Sequence, residues 1–92
     1  MKKGEIIKVA KTDEITGDCS YLYFKRWSKD DKDRVYINDY HRRTIGYIDL
    51  MTCDNETIIY DTMGNTDEEL KRAIDGFFAI IKANDKENDI LI

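Results

Sequence analysis

Six tyrosines and one tryptophan lie between residues 21 and 60, and they are the side chains of this chain best suited to binding. Tyr and Trp concentrate binding energy at protein interfaces, and their rings also stack on nucleic-acid bases. Side chains alternate between the two faces of a strand. This alternation predicts that all seven rings share one face of a single sheet. The seven are Tyr21, Tyr23, Trp27, Tyr36, Tyr40, Tyr47 and Tyr60.

Basic residues accompany these rings. Lys25 and Arg34 fall on the same predicted face, and Arg42 and Arg43 follow in the next turn. Aromatic rings interleaved with Lys and Arg suit single-stranded nucleic acid, because bases stack on the rings while phosphates contact the cations. These four residues are therefore candidate phosphate contacts.

The residues that could support catalysis are few. His41 is the one histidine, and the two cysteines, Cys19 and Cys53, have no partner histidine at a recognisable spacing. One histidine and two separated cysteines do not form a zinc-binding pattern. We expect no enzymatic activity, no catalytic residue, no metal and no cofactor. We also expect both thiols to be reduced.

A sheet must hold the aromatic residues in place. Four strands separated by short turns are predicted at residues 21–27, 34–40, 44–50 and 57–60, after a weaker strand signal at 5–11. Consecutive strands joined by short turns form an antiparallel meander. The residues predicted for the opposite, core face are Leu22, Phe24, Val35, Ile37, Ile48, Leu50 and Ile59.

A helix follows the sheet. Thr66 and Glu69 have the spacing of a capping box, and apolar residues then recur at helical spacing up to Ile81. The pattern predicts a helix over about residues 67–83 that covers the aliphatic face. The tail at 85–92 ends in three aliphatic residues, for which we expect docking onto the chain's own core. Pairing as an edge strand and insertion into a partner are the alternatives. The fold class is α+β, in one domain of residues 1–92 with the sheet at about 5–61.

The charge is unevenly distributed. The chain of 92 residues has a net charge of −4, but residues 21–43 sum to +3 and residues 44–92 to −7. The basic segment could attract an acidic partner, whereas the acidic segment would repel one. No apolar run approaches the roughly 20 residues that span a bilayer. We expect no membrane association and a cytoplasmic location.

Four antiparallel strands followed by one amphipathic helix resemble the PC4-like single-stranded-DNA-binding domains. The resemblance covers the architecture of residues 21–83, without a motif that matches residue by residue, and the net acidity departs from it. It implies single-stranded nucleic acid as a partner. Small acidic proteins are also frequent among phage-encoded inhibitors, which is an analogy of class alone.

The sequence leaves three functions open. We favour a non-enzymatic protein-binding module, such as a small inhibitor or adaptor of the phage or mobile-element type, acting through the aromatic face. Binding of single-stranded nucleic acid through the same face is the alternative. Homodimerisation through that face is the third outcome, and it would occupy the site.

Overall fold

The computed structural model describes residues 1–13, 15–62 and 64–90, with side chains as far as Asn84. It contains an antiparallel sheet of five strands and one helix, which is the predicted α+β fold. The elements are β1 (Ile6–Thr12), β2 (Cys19–Lys29), β3 (Lys32–Asn38), β4 (Thr44–Asp49), β5 (Thr57–Ile59) and α1 (Asp67–Ile90).

The strands follow one another across the sheet in chain order, from β1 at one edge to β5 at the other. Every neighbouring pair is antiparallel. Among the described residues, the edge strands of the meander are the seven-residue β1 and the three-residue β5.

The turn between β2 and β3 is shorter than the sequence predicted. The polar segment 28–33 reads as a loop, yet pairing continues to Lys29 and Lys32, which face each other. Only Asp30 and Asp31 remain in the turn, with φ values of 54° and 61°. Positive φ at both central residues is the signature of a type I′ turn, whose twist matches that of the flanking strands.

The pairing of β3 with β4 contains a bulge. Ile37 pairs with Gly46, but Asn38 pairs with Thr44, so Ile45 is the extra residue. Strand β3 ends at Asn38, where the Asp39 carboxylate accepts a hydrogen bond from the Arg43 amide at 2.9 Å. Tyr40 is therefore in a turn rather than in the strand that was predicted for it.

Gly46 occupies a position that has no room for a side chain. An added Cβ atom would lie 2.2 Å from the Ile58 carbonyl oxygen and 2.9 Å from the Ile59 Cα atom. Since both neighbours are backbone, Gly46→Ala is expected to lower the free energy of unfolding by about 1–3 kcal/mol, the usual cost of overpacking. Urea denaturation measures the loss. Gly76→Ala is the control, because its Cβ atom would meet only Val9 at 3.5 Å.

Helix α1 begins as the sequence predicted and ends later. The Thr66 hydroxyl accepts a hydrogen bond from the Glu69 amide at 3.2 Å, and Glu69 accepts one from the Thr66 amide at 3.3 Å. This reciprocal pair is the capping box. The helix then continues past Asn84 to Ile90, so residues 85–90 extend it instead of forming a separate tail. The prediction for Leu91 and Ile92 lies outside the described residues.

The core lies between α1 and one face of the sheet. Phe77 of α1 stacks on Phe24 of β2, with ring centroids 4.4 Å apart and planes inclined by 7°. The predicted core face is correct, because five of its residues are fully buried and Leu50 and Ile59 pack against them. The fully buried members are Leu22, Phe24, Val35, Ile37 and Ile48.

A partly buried ion pair, Arg26 with Asp33, lies at one end of the core. Arg26 donates to both Asp33 oxygens, at 3.1 Å from Nε and 2.7 Å from Nη2, and also to the Met1 carbonyl. Hydrogen bonding from Arg26 holds the pKa of Asp33 below its ordinary value of 3.8, against the opposing effect of burial. Two hydrogen bonds from one guanidinium to one carboxylate define the geometry of the pair more closely than a single charged contact does.

The lowered pKa of Asp33 sets a pH dependence of stability. The ionised carboxylate stabilises the fold above the pKa of an unfolded Asp, about 3.9, and this contribution is lost as pH falls through the lower pKa of the folded state. We expect Asp33→Asn to reduce the loss of stability on acidification below about pH 4. Thermal melts of both proteins from pH 7 to pH 2 measure it. An unchanged acid slope would remove Asp33 from the explanation.

Candidate functional site

The sheet face opposite α1, which we call the front face, consists of alternate residues of the five strands. Because Leu22 and Phe24 face the helix, their neighbours Tyr21 and Tyr23 face the other way. The registers extend this assignment to every strand. The charged and aromatic members are Lys8, Tyr21, Tyr23, Lys25, Trp27, Lys29, Lys32, Arg34, Tyr36, Tyr47 and Asp49.

The front face is strongly basic although the protein is acidic. The strand positions on it carry five cations and one carboxylate, Asp49, whereas the whole chain has a net charge of −4. The compensating acids lie elsewhere, including Asp67, Glu68 and Glu69 in the first turn of α1. Folding therefore concentrates cations on the front face.

Three of the cations lie over aromatic rings of this face. Lys8 Nζ is 4.0 Å from the centroid of Tyr21, and Lys25 Nζ is 4.7 Å from that of Trp27. Arg34 Cζ is 4.0 Å from the centroid of Tyr47. Exposed contacts of this kind contribute about 0.5–1 kcal/mol each. The cations and rings of the front face thus contact one another in separate groups.

Strand β3 contributes Arg34, Tyr36 and Asn38 to the middle of the front face. Tyr36 packs on Tyr47 with centroids 6.2 Å apart, within the usual range for aromatic pairs. Interaction with the Tyr36 side chain raises the pKa of Arg34 above its ordinary value, so Arg34 remains a cation. Arg34 Nε and Asn38 Oδ1 are buried without a hydrogen-bond partner among the described residues.

Tyr40 is outside the strands but close to the front face. It is 63% exposed and contacts His41, with ring centroids 3.8 Å apart and planes inclined by 39°. It also borders a groove of about 500 Å³ together with Tyr23, Lys25 and Arg42. The turn after β3 therefore extends the aromatic surface past the end of the strand.

The predicted site residues do not all come together. Tyr21, Tyr23, Trp27, Tyr36 and Tyr47 lie on the front face. Tyr60 follows β5, at the edge of the sheet farthest from β1.

The four candidate phosphate contacts divide in the same way. Lys25 and Arg34 are on the front face, and Arg42 lines the groove at its border. Arg43 instead lies 3.9 Å from the Asp39 carboxylate and lines a separate cleft with Lys11 and Ser20. Its amide also donates to Asp39, so Arg43 has a structural partner.

Sequence reasoning missed four polar residues of this face, Lys8, Lys29, Lys32 and Asn38. The signal for Lys8 was its alternation with Ile7 and Val9 in the weakly predicted first strand. Lys29 and Lys32 were assigned to a loop that is a two-residue turn.

Other chemistry is not assembled in the described part of the chain. Cys19 and Cys53 are free and exposed. No three His, Cys, Asp or Glu side chains among the described residues are grouped as metal ligands. No helix of the described chain is long and apolar enough to span a bilayer.

Comparison with protein-family models, curated proteins and solved structures finds no match for this chain. The resemblance to PC4-like domains therefore remains one of element order, and the function must be argued from the front face itself.

Proposed function

We propose that the front face binds single-stranded nucleic acid. The observation that carries this proposal is the concentration of cations: five cations and one carboxylate share the front face of a protein whose net charge is −4. A basic surface on an acidic protein attracts polyanions locally, while the rest of the surface repels them and orients the encounter. Contacts between cations and phosphates supply the part of the affinity that does not depend on sequence.

The rings of the front face favour unpaired bases. Trp27 is 47% exposed and Tyr21 is 40% exposed, so both offer ring surface to a ligand. Strand β2 has 11 residues and spans about 35 Å, which accommodates several nucleotides of an extended strand. Stacking on such rings tolerates every base because each base has a π face.

The shape of the site favours a single strand over a duplex. Readout of duplex DNA uses a helix or a narrow ribbon that enters the major groove. The front face is instead the open side of a five-stranded sheet, and α1 lies on the opposite side. Open sheets with exposed aromatic residues are a recurring platform for splayed bases.

Paired charge reversals test the proposal. Lys25→Glu/Arg34→Glu is expected to abolish binding of a fluorescent single-stranded oligonucleotide at 50 mM salt, measured by anisotropy. Lys71→Glu/Lys82→Glu is the matched control, because it changes the net charge equally on the exposed surface of α1. Equal losses in both variants would show an effect of net charge alone and would contradict a site on the front face.

A protein partner is the second candidate, and the exposed apolar surface on the same face favours it. Ile6 is 55% exposed opposite Lys25, and Trp27 and Tyr21 of the same face are partly exposed. Tyr and Trp supply anchors at protein interfaces, and the cations would require an acidic partner. A small inhibitor or adaptor would use this face in the same way. A partner recovered from lysate after nuclease treatment, together with absent oligonucleotide binding, would favour this candidate.

A further inference from the structure

We propose that β1 pairs with β1 of a second copy of this chain, giving a two-fold symmetric dimer with one continuous sheet of ten strands. This inference does not depend on the proposed ligand of the front face. It rests on the hydrogen-bonding groups of the open edge and on the side chains that flank them.

The open edge of β1 presents a regular row of backbone groups. The Arg26 amide donates to the Glu5 carbonyl and the Asp13 amide donates to the Asp18 carbonyl, so odd-numbered positions of β1 bond to β2. The amides and carbonyls of Ile6, Lys8, Ala10 and Thr12 therefore point away from β2. No described residue hydrogen bonds to these outward-facing groups.

The edge lacks two of the features that block pairing, a proline and a bulge. Strand β1 contains no proline, and its register with β2 is continuous from Ile6 to Thr12. Its charged residues are Lys8 on the front face and Lys11 on the opposite face. Natural sheets protect an edge with bulges, prolines, charged side chains or covering segments, because a free edge pairs readily with another strand.

Self-complementarity selects one register. Centring the two-fold axis on Val9 pairs Lys8 with Ala10 of the second copy and Ile6 with Thr12, so that all four outward positions bond. Moving the axis by one residue toward Lys8 would place two lysines opposite each other, and like charges directly opposite are destabilising. Moving it toward Ala10 would leave Ile6 without a partner in the second β1.

Solution mass tests the dimer. Light scattering should give about double the 10.8 kDa of one chain at high micromolar concentration. Ala10→Pro should restore the mass of one chain, because its amide faces outward and proline is tolerated at a sheet edge. A single-chain mass for the unmodified protein, or a dimer that survives Ala10→Pro, would overturn the proposal.

Cross-linking tests the register. In a background of Cys19→Ser and Cys53→Ser, Val9→Cys should form an intermolecular disulfide on mild oxidation, because directly opposed Cα atoms at such a pair lie about 4.5 Å apart. Ala10→Cys is the control, since its Cα atoms would be about 8 Å apart in this register. Efficient cross-linking of Ala10→Cys alone would refute the register. If Trp27→Ala abolished the dimer and Ala10→Pro did not, the interface would lie on the front face. This result would overturn the proposal that two β1 strands pair.

Discussion

The double variant Tyr21→Ala/Trp27→Ala is expected to weaken binding of a single-stranded oligonucleotide by at least about 30-fold. Each ring is partly exposed on the front face, and stacking of one base contributes about 1–3 kcal/mol. Two independent losses therefore sum to about 2–6 kcal/mol. Anisotropy titrations at fixed salt measure the change.

Tyr60→Ala is the matched control for that variant. Tyr60 is 61% exposed, but it follows β5, three strands away from β2. Its removal should leave the affinity within about two-fold, well below the effect of one lost stacking contact. Comparable losses in Tyr60→Ala and in the double variant would mean that exposed aromatic residues in general, rather than the front face, bind the oligonucleotide.

Phe77→Ala is expected to lower the free energy of unfolding by about 3–5 kcal/mol, the usual cost of truncating a buried Phe. Phe77 is fully buried and stacks on Phe24, which joins α1 to the sheet. A domain of this size has a stability near the low end of about 5–15 kcal/mol, so the variant should be largely unfolded at 37 °C. Chemical denaturation followed by tryptophan fluorescence reports the change through Trp27.

Phe77→Leu is the control because it keeps most of the apolar volume. It should lose clearly less stability than Phe77→Ala, since smaller changes in volume leave smaller cavities. If Phe77→Ala unfolded with an unchanged midpoint, α1 would not be held on the sheet by this contact, and the assignment of the front face as the uncovered side would fail.

The two-faced sheet was predictable from the sequence because strand alternation is a local property. Leu22 and Phe24 alternate with Tyr21 and Tyr23, and the same pattern returns in the next two strands. Short turns between the strands left little choice of pairing. The capping box at Thr66 and Glu69 likewise fixed the start of α1 from four consecutive residues.

The limits of β2 and β3 were less predictable. Asp30 and Asp31 form a type I′ turn that usually contains Asn or Gly, and the charged residues beside them resemble a loop. Backbone twist rather than hydrophobicity extends the strands here. As a result Lys29 and Lys32 add to the charge of the front face, and that charge was underestimated.

Two other differences arise from interactions between residues near the ends of elements. The Asp39 carboxylate bonds to the Arg43 amide and ends β3 two residues early, which moves Tyr40 into a turn. Helix α1 passes its predicted end near residue 83, where Asn84 follows, and continues to Ile90. Asn is a weak stop compared with glycine, and the Lys and Glu residues that follow favour a helix.

The salt dependence of oligonucleotide binding tests the central claim most directly. If the five front-face cations each neutralise one phosphate, the logarithm of the binding constant should fall with the logarithm of salt with a slope of about −3.5. Affinity for a short single strand should then drop about 100-fold between 50 and 200 mM salt. Absence of binding at 50 mM salt, or binding that does not respond to salt, would contradict the account.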